Sequence, residues 1–355
     1  MKDLAIWKAA IHFGLREPVS LSSLSSGLIH QTYHVWDEEN IEGIVLQQIN
    51  EKVFQSPRQI IDNYCLVFEH LRKAKVLQIP APLRSLEGQW LWFDENGNSW
   101  RANAYVPNSY TEDTPITALK AKRAARSFAQ LTQALTDLDP SALAEVISGF
   151  HNLSIRFDQF QNALRQGQEG RLKEAVKMID ALVQRKHYVD FYKNISKNAS
   201  FQQRIMHHDC KLSNILFHKQ MEEAICPIDL DTLMPGYYFS DLGDMVRSMA
   251  ASVDEAERDV EKIFVRKEVY QALVEGYLEG MGNVLTEKEK KYLHHSGLLM
   301  IYMQALRFLS DYLLRDVYYK IHYATQNYDR ALNQLTLLTK LEAFLQEEYH
   351  YTIHE

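Results

Sequence analysis

The stretch "HHDCKLSNILF", residues 207–217, sets Asp209 two residues after His207 and Asn214 five residues after that aspartate, then runs into an apolar segment. Phosphoryl transfer uses these groups: a base or orienting carboxylate at the acceptor hydroxyl, and oxygen ligands for a divalent metal close by. Lys211, between the two, adds a positive charge to meet the charge that develops on a transferred group. Alone, His-x-Asp-x4-Asn arises by chance in about one chain of this length in fifty. Its continuation makes it specific. Asp229, in "IDLD", closes a second apolar run, and the polar "HKQMEE" lies between the two runs. A hairpin over this segment would return Asp229 beside Asn214, so that one hairpin assembles two metal ligands. The competing reading of the loop is a surface turn with an Asx cap.

Working outward, residues 19–110 carry strand and turn signals. "VSLSSLSSGLIHQTYHVW" ends in alternating β-prone residues, "DEEN" is a polar turn, and "GIVLQQIN" is a further strand. "RQIIDNYCLVFEHLRKA" has helical spacing, "QIPAPLRSL" is a Pro-punctuated connector, and "QWLWFDENGNSWRANAYV" reads as a hairpin turning at "ENGN". From Thr114 the period changes. "PITALKAKRAARSFAQLTQALTDLD" opens with Pro115 and stops at Pro140, "GRLKEAVKMIDALVQRKHYVDFYKNI" is helical, and so is the chain beyond Ser240. The expected fold class is α+β: a protein-kinase-like two-lobe fold, with a small β-rich lobe over residues 1–107 and a large, mainly helical lobe over 108–355.

The bulk numbers set limits. Across 355 residues the net charge is −7, with 46% hydrophobic and 24% charged residues. There is no basic face for nucleic acid or anionic membrane. Three separated cysteines without a CxxC pair point to a reducing compartment. The N-terminal "MKDLAIWKAAIHFGL" has no basic n-region or cleavage site, and "SGLLMIYMQALRFLSDYLL" is interrupted by Gln304, Arg307 and Asp311. The expectation is a soluble, cytoplasmic protein with no membrane or nucleic-acid partner.

"HHDCKLSN" followed by "IDLD" resembles the catalytic and metal-binding loops of the aminoglycoside phosphotransferase branch of the protein-kinase-like superfamily. Within it the chain is most similar to N-acetylhexosamine 1-kinases. The similarity includes "IHQTYHV", "VLQQINEKVF", "FHNLSIRF" and "QNYDRALNQL", with the narrower "IDLDTLMPG" and "RFLSDYL". The resemblance implies a kinase that uses ATP and Mg²⁺ to phosphorylate the anomeric hydroxyl of N-acetylglucosamine or N-acetylgalactosamine. Asp209 would be the base, assisted by Lys211, and Asn214 and Asp229 would hold the metal. Asp231, where related kinases have the glycine of "DFG", would either assist the metal or bond to the loop backbone. Asp241, in "FSDLGD", would brace the catalytic loop; Asp244 and Arg247 read equally well as a helix-surface pair.

The first lobe departs from the kinase pattern. The strand that normally carries the phosphate-pairing lysine reads "IVLQQIN", with Gln47 and Gln48, and glutamine donates hydrogen bonds without charge. The nucleotide-covering segment "SSLSSGLIHQTY" has a single glycine. Gly27, His30, Thr32 and Gln47 are the candidate nucleotide contacts, each with an ordinary turn or strand role as its alternative. Arg307 lies four residues before Asp311, so an i,i+4 ion pair competes with the sugar contact that the resemblance implies. Tyr318 and Asp316 read as packing and capping, and His207 as a loop-packing histidine.

Two other functions are consistent with parts of the chain. A kinase of the same fold acting on choline, homoserine, methylthioribose or an aminoglycoside shares every loop motif. An HD-type metal phosphohydrolase is suggested by "HHD" alone and requires an all-helical fold. A non-catalytic kinase-like module conflicts with the joint presence of Asp209, Asn214 and Asp229.

Overall fold

The computed structural model describes residues 2–17, 19–24, 30–113 and 116–351. The expected nucleotide contact Gly27 and the helix-opening Pro115 lie outside these residues. The chain divides into two compact units. The first comprises Met1–Glu112, Ala134–Ser148 and Ser213–Pro235; the second comprises Asp113–Gln133, Gly149–Leu212 and Gly236–Glu355.

In the first unit, helix α1 (Lys2–His12) precedes strands β1 (Ser20–Ser23), β2 (Gln31–Trp36) and β3 (Ile44–Gln48). Helix α2 (Pro57–Ala74) leads to β4 (Pro82–Leu83), β5 (Trp92–Phe93), β6 (Ser99–Ala104) and β7 (Ser109–Tyr110). Strands β1 to β6 form an antiparallel sheet in the order β1-β2-β3-β6-β4, with β5 also on β6. Alternation along the strands sorts its two faces. Tyr33, Val35, Ile44, Leu46, Trp100 and Ala102 pack with Ile6, Ala9 and Ala10 of α1 and with Phe13 just after it. The opposite face carries Thr32, Gln47 and Arg101, placed in one row by the registers Thr32↔Gln47 and Gln47↔Arg101. The "ENGN" turn forms as expected. Asp94 accepts the N–H groups of Asn96 and Asn98, and Gly97 takes the positive φ of 79° that the turn needs.

The second unit is mainly helical and contains strand β8 (Arg204–Met206). Its helices are α3 (Ala118–Ala134), α4 (Leu153–Gln166), α5 (Glu169–Glu174), α6 (Val176–Gln184) and α7 (His187–Ile195), then α8 (Phe239–Met245), α9 (Lys267–Met281), α10 (Glu287–Lys291), α11 (His295–Leu313) and α12 (Gln326–Tyr349). Helix α11 is buried along nearly all its length, so it forms the centre of this unit. No described helix is long and apolar enough to cross a membrane.

Two details differ from the sequence reading. The stretch from Gly170 to Ile195, read as helical throughout, breaks at Ala175 and again after Gln184. At the second break Arg185 bonds back to the Ala181 carbonyl and to Glu342 of α12, turning the chain so that Leu182 and Tyr188 are both buried. The expected boundary after residue 107 is also displaced. Strand β7 pairs with β9 (Ile215–His218), which pairs with β10 (Ala224–Pro227), so the hairpin joins the first unit.

Candidate active site

The unit boundary falls between Leu212 and Ser213, inside the motif itself. In the first unit, β9 and β10 form the expected hairpin, with Cys226 opposite Leu216 and Pro227 opposite Ile215. The Ile228 N–H donates to the Asn214 carbonyl at 2.8 Å, which sets the residue before Asp229 against Asn214. Asp229 adopts a left-handed backbone (φ 60°, ψ 54°), a conformation that Asp and Asn tolerate better than other side chains.

A cavity in this unit is lined by apolar Leu24, Val45, Leu216 and Ile228 together with polar Thr32, Gln47, Arg101, Asn214 and Asp229. It suits a flat apolar group carrying an anionic tail. Gln47 lines this cavity, whereas Gln48 lines a different hollow with Gln31. The Gln47 amide is already engaged: Nε2 donates to Thr32 Oγ1 at 3.1 Å and Oε1 accepts from Arg101 Nε at 3.0 Å. Arg101 is the cation that sequence reasoning missed. The available signal was a lone charge in the otherwise uncharged strand segment "SWRANAYV".

Asp231 has a different occupation from either one expected. Arg101 donates to both its oxygens, Nη1 to Oδ1 at 2.5 Å and Nη2 to Oδ2 at 2.8 Å, and His30 Nε2 lies 2.6 Å from Oδ2. Burial alone would raise its pKa, but the Arg101 charge and the His30 and Arg101 hydrogen bonds hold this carboxyl well below the usual range. The ligand atoms of His30, Asp229 and Asp231 lie within 4.8 Å of one another, a spacing a metal would accept. The hydrogen bonds argue against that trio. The Asn50 N–H donates to His30 Nδ1 at 3.0 Å, so Nδ1 is the acceptor and Nε2 carries the proton given to Asp231. Both ring nitrogens of His30 are engaged by these bonds, and His30 is not among the residues lining the cavity. His30 and Asp231 are thus joined to Arg101 through these hydrogen bonds. Asn214 and Asp229 carry hard oxygen atoms of the kind Mg²⁺ takes.

In the second unit, β8 delivers the loop that carries Asp209. The Asp241 carboxylate accepts the N–H groups of His207 at 3.0 Å and His208 at 2.8 Å. One turn further along α8, Asp244 accepts the Cys210 N–H at 2.8 Å and is clamped by Arg247. Asp244 is buried, which raises its pKa; Arg247 opposes that shift and Asp209 adds to it. Asp244 is therefore a buried partner of the loop, and the helix-surface reading of the Asp244–Arg247 pair is corrected. Spacing held the clue, because Asp241 and Asp244 are three apart on one helix face. The His207 ring packs edge-on against Phe128, with centroids 4.9 Å apart. His208 has φ 67°, and a Cβ on Gly236 would come within 2.5 Å of its Nε2, so only glycine fits there. Lys211 Nζ lies 3.1 Å from Asp209 Oδ2, and both side chains are partly exposed.

A second hollow, within this unit, is lined by Arg156, Asp158, Gln159, Asn162, Arg307, Asp311, Tyr318 and Tyr319. Arg307 does not pair with Asp311. It donates to Gln304 Oε1 at 2.7 Å and faces the rings of Phe150, Tyr318 and Tyr319 at 5.5–5.8 Å. Asp311 instead accepts the N–H groups of Tyr318 and Tyr319 and the Asn327 amide, tying down the loop after α11. Tyr318 is 67% exposed, so it lines the hollow and does not pack inward as expected. Arg156 is pushed down to about 10, by burial first and then by the Arg307 charge.

A profile of the phosphotransferase enzyme family matches residues 20–282, well over half of the sequence. The chain belongs to the phosphotransferase enzyme family. Its fold is shared with a microcompartment-associated aminopropanol kinase (TM-score 0.68, 16% identity, 97% of this chain and 98% of that one). It is similar also to an amicoumacin kinase in complex with AMP-PNP, Ca²⁺ and Ami (TM-score 0.61, 12% identity, 96% and 93%). A choline kinase from Cryptosporidium parvum has a TM-score of 0.58 at 13% identity, covering 98% and 97%. At these identities the likeness concerns the fold. The α+β architecture of this family member, with an antiparallel sheet in the first unit and helices in the second, removes the HD-type alternative, which needs an all-helical chain.

Proposed function

We propose that this phosphotransferase is an ATP- and Mg²⁺-dependent N-acetylhexosamine 1-kinase. One observation carries the choice of acceptor. The second unit's hollow presents two guanidinium groups, Arg156 and Arg307, while one of its two carboxylates, Asp311, is committed to backbone N–H groups and Asn327. A cationic alcohol such as choline or an aminoglycoside would meet repulsion there. A neutral sugar with hydroxyl and amide oxygens would meet donors. Tyr318 offers a ring for the apolar face of a pyranose.

The roles follow from the residues. Asp209 takes the proton of the anomeric hydroxyl, which is more acidic than other sugar hydroxyls because it is geminal to the ring oxygen. Lys211 keeps that carboxylate oriented and offsets negative charge. Asp241 and Asp244 hold the loop from below through three backbone N–H groups. Asn214 and Asp229 would hold Mg²⁺, which when bound screens the nucleotide phosphates. In-line transfer gives the sugar 1-phosphate and ADP, with no covalent enzyme intermediate.

Incubation of N-acetylglucosamine or N-acetylgalactosamine with ATP and Mg²⁺ is expected to yield a non-reducing, acid-labile phosphate, whose ³¹P signal couples to the anomeric proton. Coupling to the C6 protons would overturn the 1-kinase assignment. Turnover only with a cationic alcohol would overturn the choice of acceptor.

Arg307→Lys tests the sugar contact. Lysine retains the charge but lacks the planar fork that grips two oxygens. The sugar KM is expected to rise about tenfold, the effect of one weakened charge-assisted hydrogen bond, while the ATP KM stays unchanged. Normal kinetics with a lowered Tm would give Arg307 a purely structural role.

A further inference from the structure

Arg101 is a charged side chain buried on strand β6. Its side chain is 2% exposed, it lines the first unit's cavity, and it belongs to the row that Thr32 and Gln47 continue on β2 and β3. A buried ion pair is a weak source of stability, because the desolvation of both charges cancels most of their attraction. Yet this pair is fixed from three sides. Asp231 takes Nη1 and Nη2, Gln47 Oε1 takes Nε, and His30 steadies Asp231 from its far side.

The donor count is incomplete. A guanidinium has five N–H groups. Among the described residues three have acceptors, which leaves one N–H on each terminal nitrogen. The one on Nη2 lies on the edge shared with the Nε–H that Gln47 takes, and the one on Nη1 lies on the opposite edge, so each can serve a separate oxygen. A buried donor without an acceptor is costly, so the arrangement is complete only with an oxygen-bearing ligand in the cavity. Arg101 lines the same cavity as Asn214 and Asp229, the proposed metal pair.

We propose that Arg101 is the phosphate-binding cation of the nucleotide site, supplied from β6 in place of a lysine on β3. Gln47, at the lysine's strand, orients the arginine and does not replace the charge. Asp231 and His30 are positioning residues that act through Arg101. The inference rests on the nucleotide reading of this cavity, and its test uses no sugar, so it fails or holds independently of the acceptor.

The measurement is the ratio of adenosine to ADP dissociation constants in the presence of Mg²⁺, by calorimetry, for the wild type, Arg101→Lys and Arg101→Met. Adenosine reports an intact base pocket; ADP adds the phosphates. Loss of one charge-assisted contact corresponds to a fall in the ratio of roughly 10–100-fold for Arg101→Met, with adenosine affinity unchanged. Arg101→Lys is expected to fall between the two, since it keeps charge but has fewer donors to divide between Asp231, Gln47 and a phosphate. A ratio unchanged in both variants overturns the proposal. If Arg101→Met binds no adenosine and is therefore misfolded, Arg101→Lys decides alone by the same ratio. A wild type that binds ADP no better than adenosine overturns the proposal together with the nucleotide reading. Asp231→Asn separates positioning from fold: a reduced ratio with intact adenosine binding is expected, and an unchanged one removes Asp231 from the array.

Discussion

Asp209→Asn is expected to lower turnover by about 10²–10⁴-fold while the protein folds and binds nucleotide normally, the range for loss of a general base. The substitution removes one thing. Asparagine has the shape of aspartate and can still accept a hydrogen bond, but it cannot take a proton from a sugar hydroxyl. The fold has little to lose. The ion pair of Asp209 with Lys211 is partly exposed on both sides, and such pairs contribute about 0–1 kcal/mol. The loop's conformation is held by Asp241 and Asp244, neither of which changes. A Tm shift of a few degrees at most should therefore accompany the collapse in kcat. Turnover within threefold of wild type would take Asp209 out of the mechanism. A large fall in Tm with proportionate loss of activity would mark it as structural.

The part of the site legible in the sequence is the part held by local chain geometry. The hairpin from Ile215 to Pro227 could be read because alternating apolar runs flank one polar turn, and a hairpin must return its ends to one place. Asp241 was visible through its motif, and its carboxylate does meet the loop N–H groups. Arg101 was not visible, because its meaning comes from two long-range facts: the β3–β6 register that sets it opposite Gln47, and the return of the chain 130 residues later with Asp231. A substituted lysine leaves a gap in a motif, but the motif does not say which strand supplies the replacement. The ion-pair alternative for Arg307 fails for a similar reason. Helical spacing put Asp311 within reach, but the loop after α11 takes that carboxylate for its own backbone, where two N–H groups compete with a single guanidinium. Spacing lists the partners a side chain is able to reach. The folded chain chooses among them by what else needs satisfying.

Asp229→Ala should abolish most activity at millimolar Mg²⁺ and shift the Mg²⁺ dependence beyond the 10–100-fold that disturbing an outer-shell partner already costs a metal site. Two effects are mixed in that variant, and the backbone separates them. Asp229 sits at φ 60°, ψ 54°, where an ordinary L-residue such as alanine is strained by about 1–2 kcal/mol. Some of its loss would therefore be conformational. Asp229→Asn avoids this, since asparagine tolerates the left-handed region and keeps one oxygen while losing the charge. It is expected to fold like the wild type and to need more Mg²⁺, by a smaller factor than alanine. Asn214→Ala removes the other oxygen without removing charge, so its Mg²⁺ shift should be the mildest of the three. His30→Gln discriminates between the two possible metal sets. In the trio His30, Asp229 and Asp231 it would remove a ligand, whereas in the pair Asn214 and Asp229 it only loosens the anchor of Arg101. An unchanged Mg²⁺ requirement in His30→Gln, beside a raised one in Asp229→Asn, is the expected pattern. The reverse pattern would move the ion to the trio, and no change in either would place the metal away from this hairpin altogether.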